Sequence, residues 1–264
     1  MWDNPRLLNA AAAALFALSF ALAVYAAGRM LAHSSVFPLK AIRVEGELRH
    51  VGRDDVVDAL QGRVSGTFFT ADLEGIRAIF EGIAWVRRAE VRRRWPDRLE
   101  VRLEEHVALA YWGQIQGQGQ AQGQAQGQEQ RLVNTFGELF SGRTDAALPL
   151  LGGPAGSERE VARSYALFRE LFAPLELEPQ AVLLSPRHAW RLKLSNGLTL
   201  QLGRESDKDR ILDRLARFVA AYPLTIGKLS RHLDYVDLRY PNGFALRIPD
   251  LPGPAAHKAP RKQI

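Results

Sequence analysis

From Leu7 to Gly28 the chain carries no charged side chain. No other feature limits its folding as sharply, because a hydrocarbon core of about 30 Å asks for roughly 20 apolar residues in a helix. One crossing fits this run. A cleaved signal sequence is the competing reading: Arg6 gives a minimal positive start, and the small residues after Tyr25 resemble a cleavage site. The run is nevertheless longer than the roughly 7–15 apolar residues of such a signal. The expectation is a short cytoplasmic tail at 1–6 and an uncleaved transmembrane helix at 7–31. Local charge barely orients it, since Arg6 and the amino terminus stand against Asp3, whereas Arg29 and Lys40 follow the span. Nearly all the remaining chain lies beyond the helix with no second apolar segment, which favours folded mass outside the cytoplasm.

The other bounds are compositional. With 264 residues, 47% of them hydrophobic and 24% charged, the chain has material for one or two packed domains. It has no cysteine, which excludes disulfides, thiolate metal sites and cysteine nucleophiles. Its net charge of +6 bears on association and solubility, not on fold.

A first unit is expected at 37–112. Ile42 and Val44 alternate with Arg43 and Glu45 as in a half-buried strand. Asp54 or Asp55 can cap a short helix ending at Gly62, and Leu73, Ile76, Ile79, Phe80 and Ile83 recur at helical spacing. Two strands follow, joined at Trp95-Pro96-Asp97, giving the order β-α-α-β-β. The arginine-rich stretch 86–95 invites a nucleic-acid reading. Alternation instead sends Ala89 and Val91 inward and Arg88, Glu90, Arg92 and Arg94 outward, beside Glu100, Glu104 and Glu105. A solvated strand face is the first reading, and contact with anionic lipid or a partner the second.

Residues 113–130 alternate glycine or alanine with glutamine and offer almost nothing to bury, so a flexible insert is expected there. Its glycines follow no βαβ pattern and make no dinucleotide loop. A second unit is expected at 131–249. It has a turn at Asn134–Gly137, a break at 148–154, and an amphipathic helix with Val161, Tyr165, Phe168 and Phe172 on one side. Three strand runs then cover 181–204, the last two folded at Ser195-Asn196-Gly197 with positive φ expected at the Asn-Gly pair. A helix capped by Ser206 turns Ile211, Leu215, Phe218 and Tyr222 inward. Two strands at 235–248 close a mixed, mainly antiparallel sheet with flanking helices, ahead of a disordered tail at 250–264. The fold class is α+β.

Nothing marks an active site. The histidines at 33, 50, 106, 188, 232 and 257 are scattered, with no HExxH pair, nucleophile elbow or phosphate loop. His106 stands out only as a strand-end residue. No catalytic, cofactor or metal residue is expected. A secreted hydrolase is the rival from another class. Specificity should then reside on a surface, and the last strand is the cheapest place to build one, since a free edge accepts an added strand. Gly243, Phe244, Ala245, Leu246 and Arg247 form that strand. Phe244, Leu246 and Ile248 turn to one face, and Arg239 and Tyr240 stand just before the turn with side chains of the hot-spot type. A plain ion pair of Arg239 with Asp237 is the alternative for that arginine.

The motifs carry a resemblance. Pro38-Leu39-Lys40-Ala41-Ile42, Gly66-Thr67-Phe68-Phe69, Trp95-Pro96-Asp97-Arg98-Leu99, Glu105-His106, Leu202-Gly203-Arg204, Asp213-Arg214-Leu215-Ala216-Arg217-Phe218 and Tyr235-Val236-Asp237-Leu238-Arg239-Tyr240 resemble, in this order, the FtsQ/DivIB family of cell-division proteins. The resemblance implies a POTRA domain followed by a β-domain, behind a single inner-membrane anchor with both domains periplasmic and gathered at the septum. It implies a non-enzymatic scaffold that recruits FtsB and FtsL by strand addition at the C-terminal edge and links early and late division proteins. Carried over by position, Arg187, Arg239 and Tyr240 match partner-contacting residues of the family. A POTRA-bearing component of a translocation assembly is the alternative.

Overall fold

The computed structural model describes residues 5–33, 38–113, 115–116, 120–121, 130–206, 210–228, 235–240 and 243–247. Helix α1 (Pro5–His33) contains the apolar stretch Asn9–Met30, 22 residues long and none of it buried by the protein, which is long enough to cross a membrane. Beyond it the chain forms two compact units, divided between His106 and Val107.

The first unit runs β1 (Ala41–Glu45), α2 (Arg53–Leu60), α3 (Leu73–Glu81), β2 (Val86–Arg94) and β3 (Arg98–Glu105), the expected β-α-α-β-β order. Its sheet order is β1-β3-β2, with β1 parallel and β2 antiparallel to the central β3. Alternation buries Leu99, Val101 and Leu103 of β3 beneath Ile76 and Phe80 of α3. Asp72 caps α3 by accepting from the Gly75 amide at 3.1 Å. The start of α2 differs from expectation: Gly52 is the cap residue, and Asp55 reaches back to its amide at 2.7 Å. Arg88, Arg92 and Arg94 lie exposed, as the alternation requires. Arg93, on the inward phase, is satisfied differently. Its guanidinium donates to the carbonyls of Phe68 and Ala71, both at 2.8 Å, and so ties the 66–71 loop to β2.

Among the described residues of the second unit, nine strands form one sheet. They are β4 (Ala108–Trp112), β7 (Gln130–Asn134), β8 (Leu139–Gly142), β9 (Leu150–Gly152), β10 (Pro179–Leu184), β11 (Ala189–Leu194), β12 (Thr199–Arg204), β13 (Tyr235–Asp237) and β14 (Ala245–Arg247), in the order β14-β13-β12-β11-β10-β9-β4-β7-β8. The ladder is mixed and mainly antiparallel, with parallel pairs at β12/β13, β9/β10 and β4/β9. Two expectations are corrected here. The boundary expected at 112 moves to 106, because β4 pairs with β7 and β9 in this sheet. The break expected at 148–154 contains β9, a three-residue strand between β10 and β4, too short for an alternation pattern to reveal it. Within the insert, β5 (Ile115–Gln116) pairs with β6 (Gln120–Ala121); its remaining residues beyond Gly113 and before Gln130, like the tail at 250–264, lie outside the described residues.

Helices α4 (Glu158–Phe172) and α5 (Ile211–Ala221) supply Val161, Phe168, Phe172, Leu215 and Phe218 to one buried cluster with Trp190, Leu192, Leu200 and Val236 of the sheet. Phe168 meets Trp190 edge-on at 5.8 Å. Helix α5 begins at Ile211 after Arg210, and Ser206 lies before it in a bridge, so the expected Ser206 cap is not formed. The Ile211 amide instead donates to the Glu205 carboxylate at 3.3 Å. The β11–β12 hairpin closes through Leu194 N–H to Leu198 carbonyl, with positive φ at Gly197 alone and not at Asn196. A three-residue connection of this kind needs one left-handed residue, and Gly137 plays the same part between β7 and β8.

Candidate partner-binding edge

Strand β14 is the terminal strand at one end of the sheet, and β8 is the terminal strand at the other. Among the described residues no strand pairs on the outer side of β14. Its register is Tyr235↔Arg247, Val236↔Leu246 and Asp237↔Ala245, antiparallel. The Leu238 amide donates to the Gln201 carbonyl, so Val236 and Leu238 direct their backbone groups to β12 and Asp237 directs its own to β14. By strand alternation, Ala245 and Arg247 then bond inward to β13, and Leu246 turns its N–H and C=O outward. The side chain of Leu246 lies on the helix side of the sheet and is 42% exposed. Phe244, two residues earlier, is half-buried and packs edge-on against Phe218 of α5 at 5.8 Å. Ile248, expected to continue this face, lies outside the described residues. On the opposite face the Arg247 guanidinium stands 6.0 Å from the centre of the Tyr235 ring.

Arg239 follows β13 directly, and its ion pair with Asp237 is present. Nε approaches both Asp237 oxygens at 2.8 and 3.0 Å, and Nη2 approaches Oδ2 at 2.6 Å. The Asp237 side chain is 7% exposed and that of Arg239 is 58% exposed, so the carboxylate is sunk and the guanidinium is presented. The hydrogen bond from Arg239 holds the Asp237 carboxyl below its ordinary range despite burial, and Asp237 in turn raises the affinity of the guanidinium for its proton.

The floor under Arg239 comes from residues to which sequence reasoning assigned no role. Gly203 adopts φ +75° at a register shift in β12, and a Cβ there would lie 2.8 Å from Arg239 Cγ. Arg214 of α5 is buried, and its guanidinium donates to the carbonyls of Leu202 and Arg204 on either side of that glycine. A cationic residue on an otherwise apolar helix face, between Ile211 and Leu215, was the available signal. The sheet thus brings Arg239, Tyr240, Gly243 and Phe244 to the β13–β14 end, next to Ala245, Leu246 and Arg247. Tyr240 and Gly243 are exposed. Arg187 is exposed in the β10–β11 turn, at the same end of the sheet, because Ala189 pairs with Arg204 and Trp190 pairs with Gly203. That places it strands away from β14, beside the edge and not on it.

Among the described residues no group of three or more His, Asp or Glu side chains could hold a metal ion. His106, the last residue of the first unit, donates its backbone amide to the Trp85 carbonyl of the same unit at 2.9 Å.

A helix of membrane-crossing length, a β-α-α-β-β unit and a mixed sheet that ends at β14 define a protein of the POTRA-plus-β-domain class. The comparisons agree. Residues 37–106 match the family model "POTRA domain, FtsQ-type", and residues 121–239 match "Cell division protein FtsQ/DivIB, C-terminal". Proteins named Cell division protein FtsQ are similar along nearly the full chain. The one from Burkholderia pseudomallei is 43% identical over 250 residues, 94% of each chain. The one from Nitrosospira multiformis is 42% identical over 252 residues, 94% of this chain and 99% of its own. The one from Bordetella pertussis is 37% identical over 273 residues, 96% and 94% respectively. The chain belongs to the FtsQ family of cell-division proteins.

Proposed function

We propose that this protein is a non-enzymatic scaffold of the division machinery, anchored by α1 in the inner membrane with both units in the periplasm and concentrated at the septum. Its β-domain recruits FtsB, and with it FtsL, by accepting an extended segment along β14, and so links early and late division proteins. The observation that carries this reading is the terminal position of β14 with the backbone groups of Leu246 turned outward. An incoming strand gains main-chain hydrogen bonds there, places a side chain beside Leu246 on the helix side and faces Arg247 on the other. Arg239, Tyr240 and Arg187 then supply contacts at one end of the added strand, where acidic and apolar partner residues suit an exposed guanidinium and an amphipathic ring.

Capture of the chain by the extracytoplasmic segment of FtsB tests this. Tyr240→Ala and Leu246→Pro are expected to abolish capture while leaving the fold intact. Proline at 246 removes an outward N–H and spares the β13 ladder. Phe244→Pro also blocks the edge but loses the contact with Phe218, so position 246 separates pairing from packing. Undiminished capture by Leu246→Pro would remove strand addition as the mechanism.

A further inference from the structure

We infer that one end of the first unit is a membrane-contact surface, which lies against the anionic headgroups of the bilayer that holds α1. Three segments meet at that end. Lys40 donates its backbone amide to the Asp97 carbonyl at 2.9 Å, so the chain enters β1 beside the β2–β3 turn. Pro38 forms a bridge with Thr67, and Arg93 binds the carbonyls of Phe68 and Ala71, so the 66–71 loop sits there as well.

This end cannot be far from the membrane. From Met30, where the apolar stretch stops, three helical residues and then seven more lead to Lys40. At 1.5 Å and about 3.5 Å per residue they span at most about 30 Å. The tether therefore confines the β2–β3 turn to the neighbourhood of the bilayer surface, whatever path those residues take.

The side chains at this end suit that neighbourhood. Trp95 is 75% exposed at the turn and Phe69 is 48% exposed on the adjoining loop, whereas a buried role would have hidden both. Around them stand Lys40, Arg92, Arg94 and Arg98, all largely exposed. Asp97 meets Lys40 at 3.1 Å and Arg98 at 3.7 Å, Glu90 meets Arg92 at 3.2 Å, and Glu100 meets Arg94 at 3.9 Å. Exposed pairs of this kind hold their partners weakly, so lipid phosphates compete for the same cations. Tryptophan with flanking lysine and arginine is the side-chain mixture favoured at a bilayer interface. The strand-face reading of the basic run still holds for Arg88 in mid-strand; the run becomes a contact surface only toward the turn.

The absence of native cysteine makes the test direct. The full chain carrying Arg94→Cys, or Asp54→Cys on α2 as control, is labelled with an environment-sensitive dye. It is then placed in nanodiscs of phosphatidylcholine alone or with roughly one third phosphatidylglycerol, an anionic fraction large enough to create a surface potential. In the anionic discs, lipids spin-labelled near the headgroup should quench the dye at 94 and not at 54. Quenching should fall with added salt, and Trp95→Ser combined with Phe69→Ser should remove it. Equal aqueous accessibility at 94 and 54 without lipid quenching would overturn the inference. Quenching of equal strength in neutral discs would overturn it too, since tethering alone would then account for proximity. Protection of position 94 by an added division protein, with no lipid quenching, would assign the surface to a protein and also overturn it.

Discussion

Gly203 and Arg214 together shape the floor on which Arg239 lies. The glycine opens the space in which the Arg239 stem lies, and the buried guanidinium satisfies the carbonyls that the bulge leaves off the ladder. Gly203→Ala adds a Cβ at positive φ, which by itself costs roughly 1–2 kcal/mol, and it displaces Arg239. It should therefore weaken FtsB capture more than the loss of stability explains. Arg214→Met removes the donors and leaves buried carbonyls unpaired, an expected loss of roughly 1–3 kcal/mol for each group. Urea denaturation measures both. An Arg214→Met chain as stable as the parent would show that the bulge stands without its guanidinium. The two strands on either side of the last turn, β13 and β14, were legible in the sequence because turn chemistry and alternation are local. Gly203 and Arg214 were not, because their meaning depends on a bulge and on a helix packed across it.

At the level of elements, the first unit fastens the connection between β1 and α2 with one carboxylate. Glu105, at the end of β3, accepts from the amides of Val51 at 2.8 Å, of His50 at 3.0 Å and of Arg49 at 3.1 Å, and its side chain is only 8% exposed. His50 also brings Nδ1 to 3.2 Å from this carboxylate and stacks on Trp85 at 3.7 Å. Burial alone would raise the Glu105 pKa, but the bonds from Val51, Arg49 and His50 outweigh it and the net shift is downward. A lowered folded value means that the ionised form stabilises the fold above the ordinary carboxylate pKa of about 4.3. That contribution fades as pH falls through the folded value. Glu105→Gln should accordingly be less stable than the parent at pH 7, with the gap closing below roughly pH 4; denaturation curves across that range check it, and a pH-independent gap would contradict it. The β-α-α-β-β order was readable because helices of two or more turns and long strands print their periodicity. The three-residue β9 and the membership of β4 were not, since central strands that short are defined by their neighbours.

For the molecule as a whole, the division reading and its translocation alternative diverge in the cell. A fluorescent protein fused to the N-terminus of a functional chain should collect at midcell. Even envelope fluorescence would count against the scaffold role. Replacing Leu246 by proline in the same fusion should leave midcell arrival unchanged if recruitment of this protein does not use β14, and should block the arrival of FtsB.

The glutamine-rich stretch has a practical corollary. It departs from β4 and returns at β7, strands that are already hydrogen-bonded neighbours, so the sheet holds its two ends together whatever their separation along the chain. Doubling such an excursion adds only about 0.6 kcal/mol of closure entropy. Five strands stand between it and β14. The stretch is thus a natural socket for a reporter or an affinity tag, and a place where lineages can drift in length without consulting the rest of the protein.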